Sequence, residues 1–128
     1  MPDVFGDSVL EAAMRRAKAG LLTPQVLMWT LAASRLVAPT SNADYDGDLA
    51  HFVPLLIGRD GLTFMVVFTN PARMGRFAER GPQFIELTGA QLVSMMPPGC
   101  GLAVNPESDL GFELPADGLA ALKDELSH

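Results

Sequence analysis

Cysteine is almost missing from this chain. Cys100 is the single one, so no intramolecular disulfide forms, and a lone reduced thiol fits a reducing compartment. Basic residues are scarce as well. Nine Lys and Arg stand against fifteen Asp and Glu, for a formal net charge of −6 and a pI near 4.7. That balance argues against nucleic acid, whose phosphates need clustered cations, and against docking on an anionic membrane surface. Histidine is limited to His51 and His128. No apolar run approaches the ~18 residues a bilayer-spanning helix needs. Residues 1–11 hold Asp3, Asp7 and Glu11 and no basic n-region, so no signal peptide is read there. These absences predict a cytoplasmic protein. What is present is an ordinary core: 128 residues at 48% hydrophobic suit one domain.

The elements follow from caps and periodicity. Ser8 and Glu11 have capping-box spacing, and Leu10, Ala13, Met14 and Ala17 form one helical stripe. Arg15, Arg16 and Lys18 suit the negative end of that helix, and Gly20 its left-handed cap. Thr23-Pro24 opens a second helix with Val26, Leu27, Leu31 and Ala33 on a wide apolar face, and residues 35–38 read as a short edge strand. After a polar loop, residues 52–57 and 62–68 are nearly continuous apolar runs around the turn Asp60-Gly61, a hairpin buried on both faces. Pro54 places an open edge or a bulge in the first of these strands. Asn70-Pro71 starts a third helix, with Met74, Phe77 and Ala78 inward, and Gly81-Pro82 stops it. A strand at 84–87, a helix capped by Thr88 and Gln91, strands at 102–104 and 111–114, and a helix over 115–126 complete the chain. The expected fold is α+β: a central mixed sheet with a strand hairpin, flanked by about five helices.

Chemistry-bearing patterns are few. Asn42, Asp44 and Asp46, with Gly47 and Leu49, match the first positions of a calcium-binding EF-hand loop. The twelfth position is Val53, where a bidentate Glu belongs, and a strand follows instead of a helix, so a solvated acidic loop is the better reading. His51 adjoins that loop as a lone imidazole and reads as a strand-edge residue rather than a metal ligand. Cys100 lies between Gly99 and Gly101 with no histidine near it in sequence and reads as a small buried hydrophobe. Glu107 with Asp109, and Asp124 with Glu125, read as surface acids rather than an acid–base pair. Arg73, Arg76 and Arg80 recur on successive turns, a basic stripe suited to an acidic partner or a plain solvated face. Met95 and Met96 cannot both point into the core, so one is expected to face outward, as an adaptable contact.

Assembled, these segments resemble the SseB N-terminal domain family. The carrying pieces are residues 53–71 (VPLLIGRDGLTFMVVFTNP), the following Met74-Gly75-Arg76-Phe77, residues 84–97 (FIELTGAQLVSMMP), residues 101–107 (GLAVNPE), and residues 112–116 with the terminal helix. Their order carries the likeness, which spans about residues 23–126, with 1–22 as an N-terminal helix region of the same domain. The resemblance implies an α+β domain without established catalytic residues or cofactor. Thr69, Asn70, Asn105 and Pro106 match its pattern and read as turns and caps. Some relatives carry a second, C-terminal domain that this stretch does not include. The reading is a non-enzymatic protein-binding or regulatory module in the cytosol. Its partner is an unknown protein, exposed strand edges leave a homodimer open, and Arg73, Arg76 and Met95 are the candidate interface. Two alternatives are a small-molecule- or metal-responsive domain using residues 42–51 and, last, an enzyme built on Cys100.

Overall fold

A computed structural model of the chain describes residues 9–126 apart from 43, 76, 81, 82, 98, 107 and 109. The first helix, α1 (Val9–Lys18), buries Leu10, Ala13 and Met14 as its stripe requires. It ends at Gly20, φ 76°, where the Leu21 N–H returns to the Arg16 carbonyl at 2.8 Å. The Ser8 half of its capping box lies outside the described residues. Helix α2 (Pro24–Ala33) starts where Thr23 Oγ1 accepts the Val26 N–H at 3.3 Å. It buries Leu27, Leu31 and Ala32, while Val26, Ala33 and Trp29 (45% exposed) face outward. The inward face is therefore narrower than expected and holds Ala32 in place of Ala33. Apolar residues surround this helix, so periodicity does not choose its face; packing against α1 and the later helix over Gly89–Met95 does.

Two antiparallel strands, β1 (Arg35–Pro39) and β4 (Phe84–Thr88), pair with Val37 opposite Glu86. A mixed sheet runs in the order β2 (Leu56–Arg59), β3 (Leu62–Val67), β5 (Gly101–Val104), β6 (Phe112–Leu114). In it β3 and β5 are parallel and the other pairs antiparallel. Val37 and Phe68 join the two sheets by exchanging both backbone hydrogen bonds at 2.8 Å. β1 is thus not an edge strand: it lies between β4 and the end of β3, and its apolar run Leu36-Val37-Ala38 is buried accordingly.

The hairpin is half as the apolar runs predict. β3 is covered on both faces, with Met65 and Val67 toward one core and Val66 and Phe68 toward another. β2 is shorter than residues 52–57 and exposes Leu56. Pro54 is the reason: it has no N–H to donate and makes one isolated bridge, to Thr40, before the ladder begins. Asp60 and Gly61 turn the hairpin at φ 54° and 79°, the left-handed pair of a tight turn.

The stretch after β3 departs most from expectation. Pro71–Met74 is a single 3-10 turn, Gly75 takes φ 52°, and only then does α3 (Phe77–Arg80) form. Asn70 makes no side-chain cap, and the expected single helix is two pieces, so Arg73 lies on the 3-10 turn and not on α3; Arg76 lies outside the described residues. Gly75, free to adopt a left-handed backbone, breaks the run. Met74 and Phe77 still point inward and cover the second core with Leu55, Val66 and Phe68. Helix α4 (Gly89–Met95) carries the expected capping box of Thr88 and Gln91 in full. Helix α5 (Ala116–Leu126) buries Leu119 and Leu122. Buried side chains of α1, α2, α4 and α5 meet the face of β3 and β5 that holds Met65, Val67, Leu102 and Val104. Among the described residues no helix is long and apolar enough to cross a membrane.

Candidate functional site

The parallel pair β3–β5 ends in two short polar sequences, Thr69-Asn70 and Asn105-Pro106, side by side. The carboxyl ends of parallel strands are where open α/β sheets place ligands, because loops diverge there. Asn105 adopts φ 50°, which asparagine tolerates better than most residues. The Asn105 N–H still bonds the Val67 carbonyl at 2.9 Å, the last rung of the ladder. Past it the chain turns and the Asn105 side chain goes inward. Its Oδ1 accepts the Thr69 N–H at 3.0 Å, and its Nδ2 donates to Leu110 O at 2.8 Å and to Thr69 Oγ1 at 3.1 Å. Gly111 makes the return possible: a Cβ there would lie 2.4 Å from the Asn105 carbonyl oxygen.

Above this pair sits Glu11, with 0% of its surface exposed. Its Oε2 accepts from Thr69 Oγ1, from Asn70 Nδ2 at 3.3 Å and from Arg73 Nε at 3.1 Å. An ionised carboxylate in an apolar interior needs a cation and hydrogen bonds together, and it has both. One carboxylate thereby ties α1 to the end of β3 and to the Pro71–Met74 turn. Thr69 and Asn105, expected as turn and cap residues, are the buried centre of this network, and Asn70 reaches into it.

A hollow of about 400 Å³ opens beside the network, lined by Arg15, Lys18, Arg73, Ser108 and Leu110. Arg15 and Lys18 follow Glu11 at i+4 and i+7, so one side of α1 carries all three. Ser108 Oγ accepts the Leu110 N–H at 3.2 Å, which fixes the hydroxyl at the rim. A second hollow of about 240 Å³ shares Ser108 with the first and is lined by Asn105, Arg59 and Glu113 among others. There Arg59 and Glu113 form an ion pair.

Among the described residues, the acidic loop, Cys100, Met95 and Met96 are separate from this network. In the acidic loop the side-chain oxygens close local turns. Asn42 Oδ1 accepts the Asp44 N–H, Asp46 Oδ1 the Asp48 N–H and Asp48 Oδ1 the Ala50 N–H, at 3.0, 2.9 and 3.0 Å. Asp46 Oδ2 meets His51 Nδ1 at 2.9 Å. The Asp48 N–H first, and His51 second, hold the Asp46 carboxyl below the ordinary range. Buried Thr40 closes the neck, donating to Val53 O at 2.7 Å and accepting the Val53 and Asn42 N–H groups. Among the described residues no three His, Cys, Asp or Glu side chains gather to hold a metal ion. Cys100 is buried against an apolar cleft of about 180 Å³ with Val93, Met96, Ala116 and Leu119. Met95 is the outward methionine at 36% exposure and Met96 the buried one at 9%. Arg76, Glu107 and Asp109 lie outside the described residues.

The family model for the SseB protein N-terminal domain matches residues 10–121. Comparison with the curated proteins and with the solved structures gives no match. The match begins at Leu10, so it takes in Glu11 together with Thr69, Asn70 and Asn105.

Proposed function

The chain belongs to the SseB N-terminal domain family, and on that premise we propose that it is a non-enzymatic protein-binding module of the cytosol. The observation that carries this reading is that the polar side chains at the strand ends bond one another. A general acid or base must reach the proton it moves. Glu11 instead lies fully buried against Thr69, Asn70 and Arg73. Cys100 sits in an apolar wall, and His51, the imidazole that would activate it, is bonded to Asp46 in the acidic loop. A network of this kind rigidifies a surface, and a rigid surface is what a binding module presents. Arg73 belongs to that surface, and Met95, exposed on α4, is a separate candidate contact.

Crosslinking in native cell extract, affinity capture and mass spectrometry test the reading. One stoichiometric protein partner is expected, held equally by wild type and Cys100→Ala. No partner, or a substrate turnover that disappears with Cys100→Ala, would overturn it.

A further inference from the structure

We propose that the hollow beside the buried network is the docking point, and that it takes an acidic segment of a partner protein. This rests on the binding-module reading and adds the face and the partner's chemistry. The hollow gathers Arg15, Lys18 and Arg73 from two elements on a chain whose net charge is −6. Arg73 is the fixed member: its side chain is 17% exposed and its Nε is held by Glu11 at 3.1 Å. A guanidinium held in one geometry loses little entropy when it binds a carboxylate. Arg15 and Lys18 stand exposed on α1, one turn apart, on the same rim. Ser108 brings a hydroxyl to the same rim.

The number and placement of these cations select the ligand. Nucleic acid needs a track of cations along a phosphate backbone, and an anionic membrane needs a polybasic face. One hollow with three cations on an acidic chain suits neither. It matches a short peptide segment presenting a few carboxylates, recognised by charge-assisted hydrogen bonds.

Fluorescence anisotropy with a labelled, end-blocked Glu/Asp-rich peptide tests the proposal on the full chain. Saturable binding is expected, reduced about tenfold or more in Arg15→Glu/Lys18→Glu. Both residues are exposed, so this variant keeps the fold, which circular dichroism checks. Arg35→Glu, a charge reversal on β1 away from the hollow, is the equal-charge control for each single reversal, Arg15→Glu and Lys18→Glu, and is expected to leave binding within about twofold. Equal loss in the Arg35 variant, or none in the α1 variant, overturns the assignment to this hollow. In the capture experiment, a partner retained by Arg15→Glu/Lys18→Glu overturns the docking face and leaves the binding-module reading standing. Absence of any partner removes both.

Discussion

Replacing Glu11 by alanine strips an acceptor from Thr69, Asn70 and Arg73 in one step. It also leaves Arg73, largely buried, without the carboxylate beside its Nε. Removing one partner of a buried charged pair costs about 3 kcal/mol or more, so Glu11→Ala should show that loss in urea unfolding. Glu11→Gln keeps an acceptor and the shape but not the charge, and should lose about half as much. Two variants equal to wild type would mean that the network adds nothing to stability. The acidic loop offers a separate residue-scale test by pH. The Asp46 carboxyl titrates below its ordinary range in the folded chain. Whatever order this carboxylate gives the loop is present above the unfolded-state pKa and is lost as pH falls through the lower, folded one. Because the Asp48 N–H is the larger cause and His51 the smaller, His51→Ala should raise the Asp46 midpoint in an NMR titration yet leave it below that of a free aspartate. A midpoint returned fully to the free value would make the imidazole the main cause. The loop was legible in sequence as a polar, turn-rich segment, because its Asn and Asp side chains close local turns. The network was not legible. Glu11 has capping-box spacing, and Thr69, Asn70 and Asn105 are residue types that ordinarily serve turns. Only the parallel pairing of β3 and β5, a long-range event, brings them under one carboxylate.

Elements meet most closely where glycine removes a side chain. Gly89 opens α4 directly against the end of α2, and a Cβ there would lie 2.1 Å from the Leu31 carbonyl oxygen and 2.8 Å from its carbon. Both obstacles are backbone, so neither can rotate away. Gly89→Ala should therefore force α2 and α4 apart and cost about 2 kcal/mol or more, read as a lower unfolding midpoint with an unchanged urea slope. Gly58→Ala is the matched control: its nearest neighbour would be 3.9 Å away, and the change should be close to silent in packing. What the sequence discloses at this scale follows local chemistry. The Thr88–Gln91 capping box, the Asp60-Gly61 turn, the Gly20 cap and the apolar stripe of α1 each depend on a few neighbours, and each stands as read. Misreadings cluster where tertiary contacts decide. β1 is central because Val37 bonds Phe68, a partner far along the chain. The helix expected after Pro71 breaks at Gly75, because Arg73 is drawn to Glu11 while Met74 and Phe77 are drawn into the second core.

At the scale of the whole molecule, the net charge of −6 and the basic hollow act on an approaching acidic segment over different distances. Far away, the segment meets the field of the entire chain and is repelled. Within contact distance it meets Arg15, Lys18 and Arg73 and is attracted. Salt screens the long-range part first: the Debye length falls from about 30 Å at 0.01 M to about 10 Å at 0.1 M and 3 Å at 1 M. Between the first two conditions, repulsion across the molecule fades while contacts of a few ångströms persist. Between the last two, the local attraction fades as well. The association rate constant for an acidic peptide should therefore rise from low to moderate salt and then fall, in stopped-flow measurements across that range. A basic surface acting at long range would give a rate that declines from the lowest salt onward. Observation of that steady decline would mean that the segment is steered by a positive field, and would place its docking on a face other than this hollow set in an acidic chain. A maximum at intermediate salt, displaced or abolished by Arg15→Glu/Lys18→Glu, would tie the attraction to α1 and the repulsion to the rest of the molecule.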